Sequence, residues 1–439
     1  MALGSLGRAL AHRNFRLFLF GQGVSLIGTW MQQVALAWLV FELTGASADS
    51  AFWLGLVNFC GQAPALVLAP FAGVFVDRWN LHRLLLVTQT LMMLQAFAVA
   101  ALALTGTADV PALIALSVVL GVVNVFDMTA RQAFYAAMID RREDLANAIA
   151  LNSSMVNGSR LVGPALAGLL LAQTSAGVCF LVNGVSYLAV LAALLAMRLG
   201  PRPRPPHRGP VLAGLREGLA YAWGFAPIRA ILLLLSLVSL MGMSYSVLLP
   251  VFAKDVLRGG PTEYGLLGAA AGVGALAGAL LLAARHSVLG LGRWIALTPA
   301  LFGAALVGFS FSDRLWLSLP LLVVAGFAMM VHMAASNTVL QTIVDEDKRG
   351  RVMSLYTMAF LGTVPLGSLL AGSLAHQIGA PGMVRLGGAC CVVASLLFAV
   401  QLPRLREKVR PIYVRMGILP EVAAGLGAAS DMSVPPERQ

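Results

Sequence analysis

The sequence predicts an all-α integral membrane protein whose twelve transmembrane helices form two pseudo-symmetric six-helix halves. Three observations carry this. Hydrophobic residues make up 59% of the 439 and charged residues 11%, whereas soluble chains run near 45–50% and about 25%. The apolar residues are gathered into runs of roughly the 20 residues that a helix needs to cross hydrocarbon. Those runs are continuous rather than alternating, which points to helices and not a barrel. This composition excludes an ordinary soluble enzyme, a disordered chain, a secreted disulfide scaffold and a coiled coil.

Taken in order, the runs lie at 16–41, 52–76, 84–104, 111–130, 146–171, 177–198, 229–252, 264–284, 294–311, 316–340, 353–375 and 380–402. Arg8, Arg13 and Arg16 precede the first, and no small-residue cleavage site follows it, so it is expected to stay as a span. The ninth is short and carries Pro299. Of the 30 Lys and Arg, 25 fall in segments on the side of the N-terminus, four lie opposite, and Arg160 stands inside a span. The net charge of +11 is therefore expected to mark a cytoplasmic face, with both termini on it, rather than a nucleic-acid surface.

The longest connection, 199–228, opens on a stiff Pro-rich stretch, Gly200 to Pro206. Leu212, Leu215, Leu219 and Tyr221 then alternate with Arg216 and Glu217, the pattern of a short amphipathic helix on the membrane surface. The chain divides accordingly into halves 1–198 and 229–402, the linker 199–228 and a tail 403–439. The halves repeat one another weakly. Gly158, Gly163 and Gly168 are spaced by five, and Gly362, Gly367 and Gly372 echo them 204 residues later. A duplicated six-helix unit is a common transporter design, with the substrate held between halves. Cys60, Cys179, Cys390 and Cys391 all sit in apolar runs and read as small buried hydrophobes.

The connection after the second run carries Gly73, Asp77, Arg78 and Arg83, with Asn80 between them. The small Gly73 lets a neighbouring helix approach, Asp77 can face a helix N-terminus, and the arginines can pair with a carboxylate. Asn124, Asp127 and Arg131 share one helical face in the fourth run. The fifth holds Gly158, Arg160, Gly163, Pro164 and Gly168. Together these resemble the signatures of the major facilitator superfamily over roughly residues 12–402. The likeness is greatest to a drug and siderophore efflux subgroup that includes the enterobactin exporter and macrolide efflux proteins. Asn80 stands where that superfamily prefers glycine, and Ala167 interrupts the glycine pair it prefers after Gly163 and Pro164. The resemblance implies that Asp127 meets Arg78 or Arg83 when an inner gate closes, with Asp77 and Arg131 in the same latch. It also implies that the glycine stripe of the fifth span packs against its counterpart in the other half, with Pro164 bending the helix.

In that superfamily spans 1, 4, 7 and 10 line a central cavity. Gln22, Ser25, Thr29 and Gln32 form a polar stripe on the first span, with Gln33 beside it. Ser239 and Tyr245 lie on the seventh, and His332, Ser336 and Asn337 on the tenth. Polar groups in a span are costly, so each is a cavity candidate; interhelical packing is the plainer explanation of each one singly. Arg160 is expected either to hold an anionic group or to act as a gate element. His332 is the one mid-span side chain of a type that ordinarily titrates near neutral pH, and is the candidate proton carrier.

The only lysines are Lys254, Lys348 and Lys408, none after glycine, so no Walker loop exists for ATP. No zinc helix and no nucleophile elbow occur either. The expected function is secondary active export of amphipathic small molecules by alternating access, through proton antiport. No cofactor, no metal and no nucleic acid are expected; the partners are the substrate, protons and membrane lipid, and the chain is expected to be a monomer. The alternatives are an importer or lysolipid-type carrier on the same fold, or a transport-silent receptor. The dominance of arginine over lysine suggests a GC-rich bacterial genome, hence a bacterial inner membrane.

Overall fold

The computed structural model describes residues 8–45, 48–139, 141, 144–198, 211–285 and 287–418. Among them there are helices and no strand. The first half holds α1 (Arg13–Leu43), α2 (Ala48–Arg78), α3 (Leu81–Leu104), α4 (Val110–Met138), α5 (Leu145–Gln173) and α6 (Ala176–Ala196). The linker helix is α7 (Val211–Gly224). The second half holds α8 (Ala226–Leu237), α9 (Tyr245–Val251), α10 (Pro261–Ala283), α11 (Leu291–Ser310), α12 (Leu315–Ile343), α13 (Glu346–Thr357) and α14 (Thr363–Arg415).

Three of the expected spans are more broken than their apolar runs suggest. The seventh is built from α8 and α9 with π-helical turns at Val238–Gly242 and Phe252–Val256. Pro250 lies inside α9 and has no N–H to donate, so the ladder widens around it. The eleventh combines α13, a π turn at Met358–Gly362 and the start of α14. Gly379, at φ 76°, breaks α14 and reverses the chain, so the rest of α14 is the twelfth span. That helix continues past Pro403 to Arg415, so the expected tail begins as helix, while 419–439 lie outside the described residues. The ninth span runs unbroken through Pro299.

Among the described residues the spans end on two faces: a proximal face that carries Arg13 and Arg415, and a distal face opposite it. In the first half α1 packs on α5 and α6, α2 on α4, and α3 on α4 and α6; in the second, α10 packs on α12, and α11 on α12 and α14. Two seams join the halves, α5 against α10 and α2 against the first part of α14. On each seam a glycine faces a glycine. A Cβ on Gly168 would lie 2.8 Å from the Gly265 Cα, and one on Gly55 would lie 3.0 Å from the Gly372 Cα. The glycine repeat is thus explained at two of its three positions. Gly163 and Gly367 touch the first span of their own half, at Trp30 and Leu240, whereas Gly168 and Gly372 touch the other half. The partner of the α5 stripe is therefore the eighth span, α10, and not the matching eleventh. Gly158 takes no part, since a Cβ there would meet nothing.

Beside these seams, Trp38 stacks on Tyr264 with ring centroids 6.1 Å apart, and His376 Nδ1 lies 3.2 Å from Asp49 Oδ1. Ser368 donates to Asn58 at 3.1 Å. Each of these contacts joins the halves from the distal face down to mid-depth.

The linker helix rests on the second half. Glu217 pairs with Lys348 and, at 2.5 Å, with Arg351; Tyr221 donates to Asp345 at 3.0 Å. Residues 200–206 lie outside the described residues.

Candidate functional site

The polar stripe of α1 does not face the space between the halves. Gln22, Ser25 and Gln32 are buried. Gln32 accepts from Asn183 of α6 at 2.6 Å and donates to Gln95 of α3 at 3.1 Å. Thr29 donates to the Ser25 carbonyl at 2.9 Å and stands 3.5 Å from the Tyr187 hydroxyl. Gln32, Asn183 and Gln95 satisfy one another inside the first half, which keeps their amides out of lipid, whereas the Gln22 side-chain oxygen and the Ser25 hydroxyl are buried with no bond to any described residue. Gln33, one residue on, is exposed.

The tenth span behaves the same way. His332 and Ser336 are fully buried, and among the described residues the Ser336 hydroxyl has no hydrogen-bond partner. Ser239 of the seventh span is also fully buried, and its hydroxyl too is unpartnered. His332 belongs to the interior of the second half, with its ring toward the Ile295 backbone of α11. Asn337 is half-buried and accepts from Gln341.

The expected latch is rearranged as well. Asp127 is fully buried and pairs with Arg131 one turn on in α4. Its other oxygen accepts from Thr88 and Gln89 of α3, each at 2.8 Å. A carboxylate so surrounded is paired and solvated by protein, as a buried charge requires. Arg78 and Arg83 are exposed and do not join it. Asn80 caps α3 by accepting from the Arg83 backbone, which accounts for Asn where the superfamily has glycine. The surroundings of Gly73 and Asp77 lie outside the described residues.

What does face the space between the halves is a narrow cleft at mid-depth. Arg160 of α5 enters it, stacked over Trp30 at 5.6 Å from the ring centroid. Tyr245 and Met243 of the seventh span, Met329, Met330 and Met333 of α12, and Phe360 oppose it. Phe360 lies in one π turn, and Met243 directly follows another; such turns re-aim the side chains after them. Tyr245 is held edge-on to Phe302 at 6.2 Å. Close helix contact seals the cleft distally: Leu161 lies against Gly272, and Pro164 packs on Gly268.

Of the sequence candidates, the structure brings together Arg160 and Tyr245. It adds Trp30 and the methionines, which polarity could not reveal. Met329 and Met333 lie on the same helical face as His332 and Ser336, with Met330 at its edge. Methionine is flexible and polarisable, so such a wall adapts to varied apolar ligands, and Trp30 with Arg160 adds a flat aromatic and a cation.

Comparison with known proteins agrees with this architecture. The sequence profile of the transmembrane secretion effectors, a family of the major facilitator superfamily, matches residues 7–416. The multidrug efflux pump Tap of Mycolicibacterium fortuitum is 30% identical over 400 residues, covering 89% of this chain and 96% of that protein. The staphyloferrin A transporter of Staphylococcus aureus is 27% identical over 375 residues, covering 85% and 92%. The crystal structure of the nucleoside transporter NupG superposes with a TM-score of 0.68 at 11% identity, covering 90% of this chain and 99% of that one. The chain accordingly belongs to the transmembrane secretion effector family of the major facilitator superfamily: it is a multi-pass membrane transporter and not an enzyme.

Proposed function

We propose that this transporter exports amphipathic small molecules by alternating access between its two halves. The carrying observation is the placement of the cross-half contacts. Paired glycines, Trp38 with Tyr264, and Asn58 with Ser368 hold the halves together from the distal face to mid-depth, with the methionine cleft at the proximal end of those seams. This is the arrangement of a carrier loaded from the proximal side. The basic bias supports assigning that side to the cytoplasm of a bacterial cell. Export then needs the glycine seams to part while the proximal ends approach, with Asp77 and Arg78 at the closing end of α2.

The cleft lined by Met329, Met330, Met333 and Phe360 is only about 10 Å³ in this state, so a larger apolar body enters only when these flexible side chains and the two halves move apart. Arg160 suits one anionic or π-rich group on it. Drug-like and siderophore-like compounds share that chemistry, and relatives of both kinds are similar in sequence. Proton exchange supplies the energy. The candidates to carry the proton are Asp127, a fully buried carboxylate, and His332, a fully buried imidazole; both lie beside the transport path rather than in it.

The test is accumulation of a compound panel in efflux-deficient cells expressing the chain, with and without a protonophore. A fall in one compound that the protonophore reverses is expected. Levels that rise in response to expression would make the chain an importer. The same assay with Asp127→Asn and His332→Leu identifies the proton carrier by which variant loses the protonophore-sensitive part.

A further inference from the structure

A second cavity lies away from the cleft, at the proximal base of the second half. Its volume is about 550 Å³. The floor is apolar and inside the span region: Ile231, Ile295, Val339 and Phe398. The rim carries Arg293, Arg406 and Arg410 against a single carboxylate, Glu407. The site is built rather than incidental. Arg285 stacks over Trp294 at 5.3 Å and donates to the carbonyls of Ser287 and Leu289, which fixes the connection that forms one wall. Gly290, at φ 83°, turns that connection into α11. The opposite wall is the stretch of α14 beyond the twelfth span, where Leu405 is buried and Arg406 and Arg410 are exposed.

We infer that this cavity holds an anionic phospholipid of the surrounding bilayer, with acyl chain on the apolar floor and headgroup phosphate on the arginine rim. Two features of the site choose that occupant. The cavity joins headgroup depth to hydrocarbon depth in one continuous space, as a lipid does and a soluble anion does not. The helices that flank it turn bare apolar side chains outward, Leu297 at 65% exposed, Leu397 at 60% and Val400 at 80%, so lipid is the neighbour. The rim excess of positive charge selects a phosphate-bearing anionic headgroup over a zwitterionic one. This site is independent of the export reading, and a carrier working in either direction would have it.

The test titrates the full chain in phosphatidylcholine nanodiscs with phosphatidylglycerol and counts retained lipid by native mass spectrometry. One phosphatidylglycerol per chain is expected to survive release, and phosphatidylcholine is not. The double variant Arg406→Gln, Arg410→Gln is expected to weaken retention about 20-fold, and Glu407→Gln to strengthen it about fivefold. Gly292→Met fills the cavity without touching a charge. A Cβ at Gly292 would meet only Leu402, at 3.4 Å, so this variant is expected to fold and to lose the lipid. Equal retention of both lipids, or unchanged retention in Gly292→Met, overturns the proposal. Retention that starts only after residues 419–439 are removed also overturns it, and makes the chain's own tail the occupant.

Discussion

Gly168 of α5 and Gly265 of α10 meet across the two halves at backbone contact, a Cβ on Gly265 standing 2.7 Å from the Gly168 Cα. Gly55 and Gly372 repeat the contact on the other seam. Halves that meet backbone to backbone can part and rejoin without re-sorting side chains.

Gly168→Val is therefore expected to open the distal seam. Overpacking costs about 1–3 kcal/mol, enough to shift a two-state equilibrium about fivefold to about 150-fold. Spin labels at Thr107 and Asp313, both exposed on the distal face, should report a longer distance. An unchanged distance would show that the seam tolerates bulk and is no hinge.

Asp127→Ala leaves Arg131, whose side chain is only 17% exposed, without its carboxylate. Breaking such a pair costs about 3–5 kcal/mol, whereas replacing both charges by apolar groups is often neutral. The single variant should melt markedly lower than the wild type in detergent, and Asp127→Leu with Arg131→Met should recover most of the loss. A double variant as unstable as the single would mean that Thr88 and Gln89, not the ion pair, hold α3 to α4.

His332→Leu should leave the melting temperature unchanged or raised. The ring is fully buried and meets nothing better than a poorly formed contact with the Ile295 backbone, and an under-satisfied buried polar group costs about 1–3 kcal/mol. A lower melting temperature would reveal a bond that the imidazole makes in the other transport state.

The linker latch should depend on acid. The hydrogen bond from Lys348, aided by Arg351, holds the Glu217 carboxyl below the ordinary carboxylate range. A depressed value means that the latch is fully present above the ordinary carboxylate pKa and is lost only as pH falls through the lowered one. Amide exchange in α7, taken relative to the intrinsic rate at each pH, should thus be slow and level from pH 7 down to about 5, then rise as the pH falls further. Glu217→Gln should show the fast exchange at every pH; the same slow exchange in that variant would leave Tyr221 and Asp345 as the contact that matters.

Much of the fold was legible because lipid makes a strict solvent. A span must be apolar for about 20 residues whatever it packs against, so the runs and the charge bias of the connections could be read along the chain. The glycine repeat was legible for a similar reason, since only small residues permit close seams. The candidate site was less so. Gln22, Ser25, Thr29 and Gln32 stand out by polarity, yet polarity marks groups that need partners and does not tell a cavity from a helix interface. Trp30 and the methionines gave no such signal, because their apolar character is what any span shows.

By itself the sequence determined the class of protein, the number of spans and the two-half repeat, since each follows from local composition in a solvent that tolerates no unpaired backbone. Only the tertiary structure decided which face of each helix meets protein, lipid or the cleft. It turned Gln32 toward Asn183 and Gln95, paired Asp127 with Arg131, and set Arg160 over Trp30 facing the methionines of α12. Those choices depend on which helices are neighbours and on how the π turns rotate them, and that information resides in contacts between residues far apart in the chain.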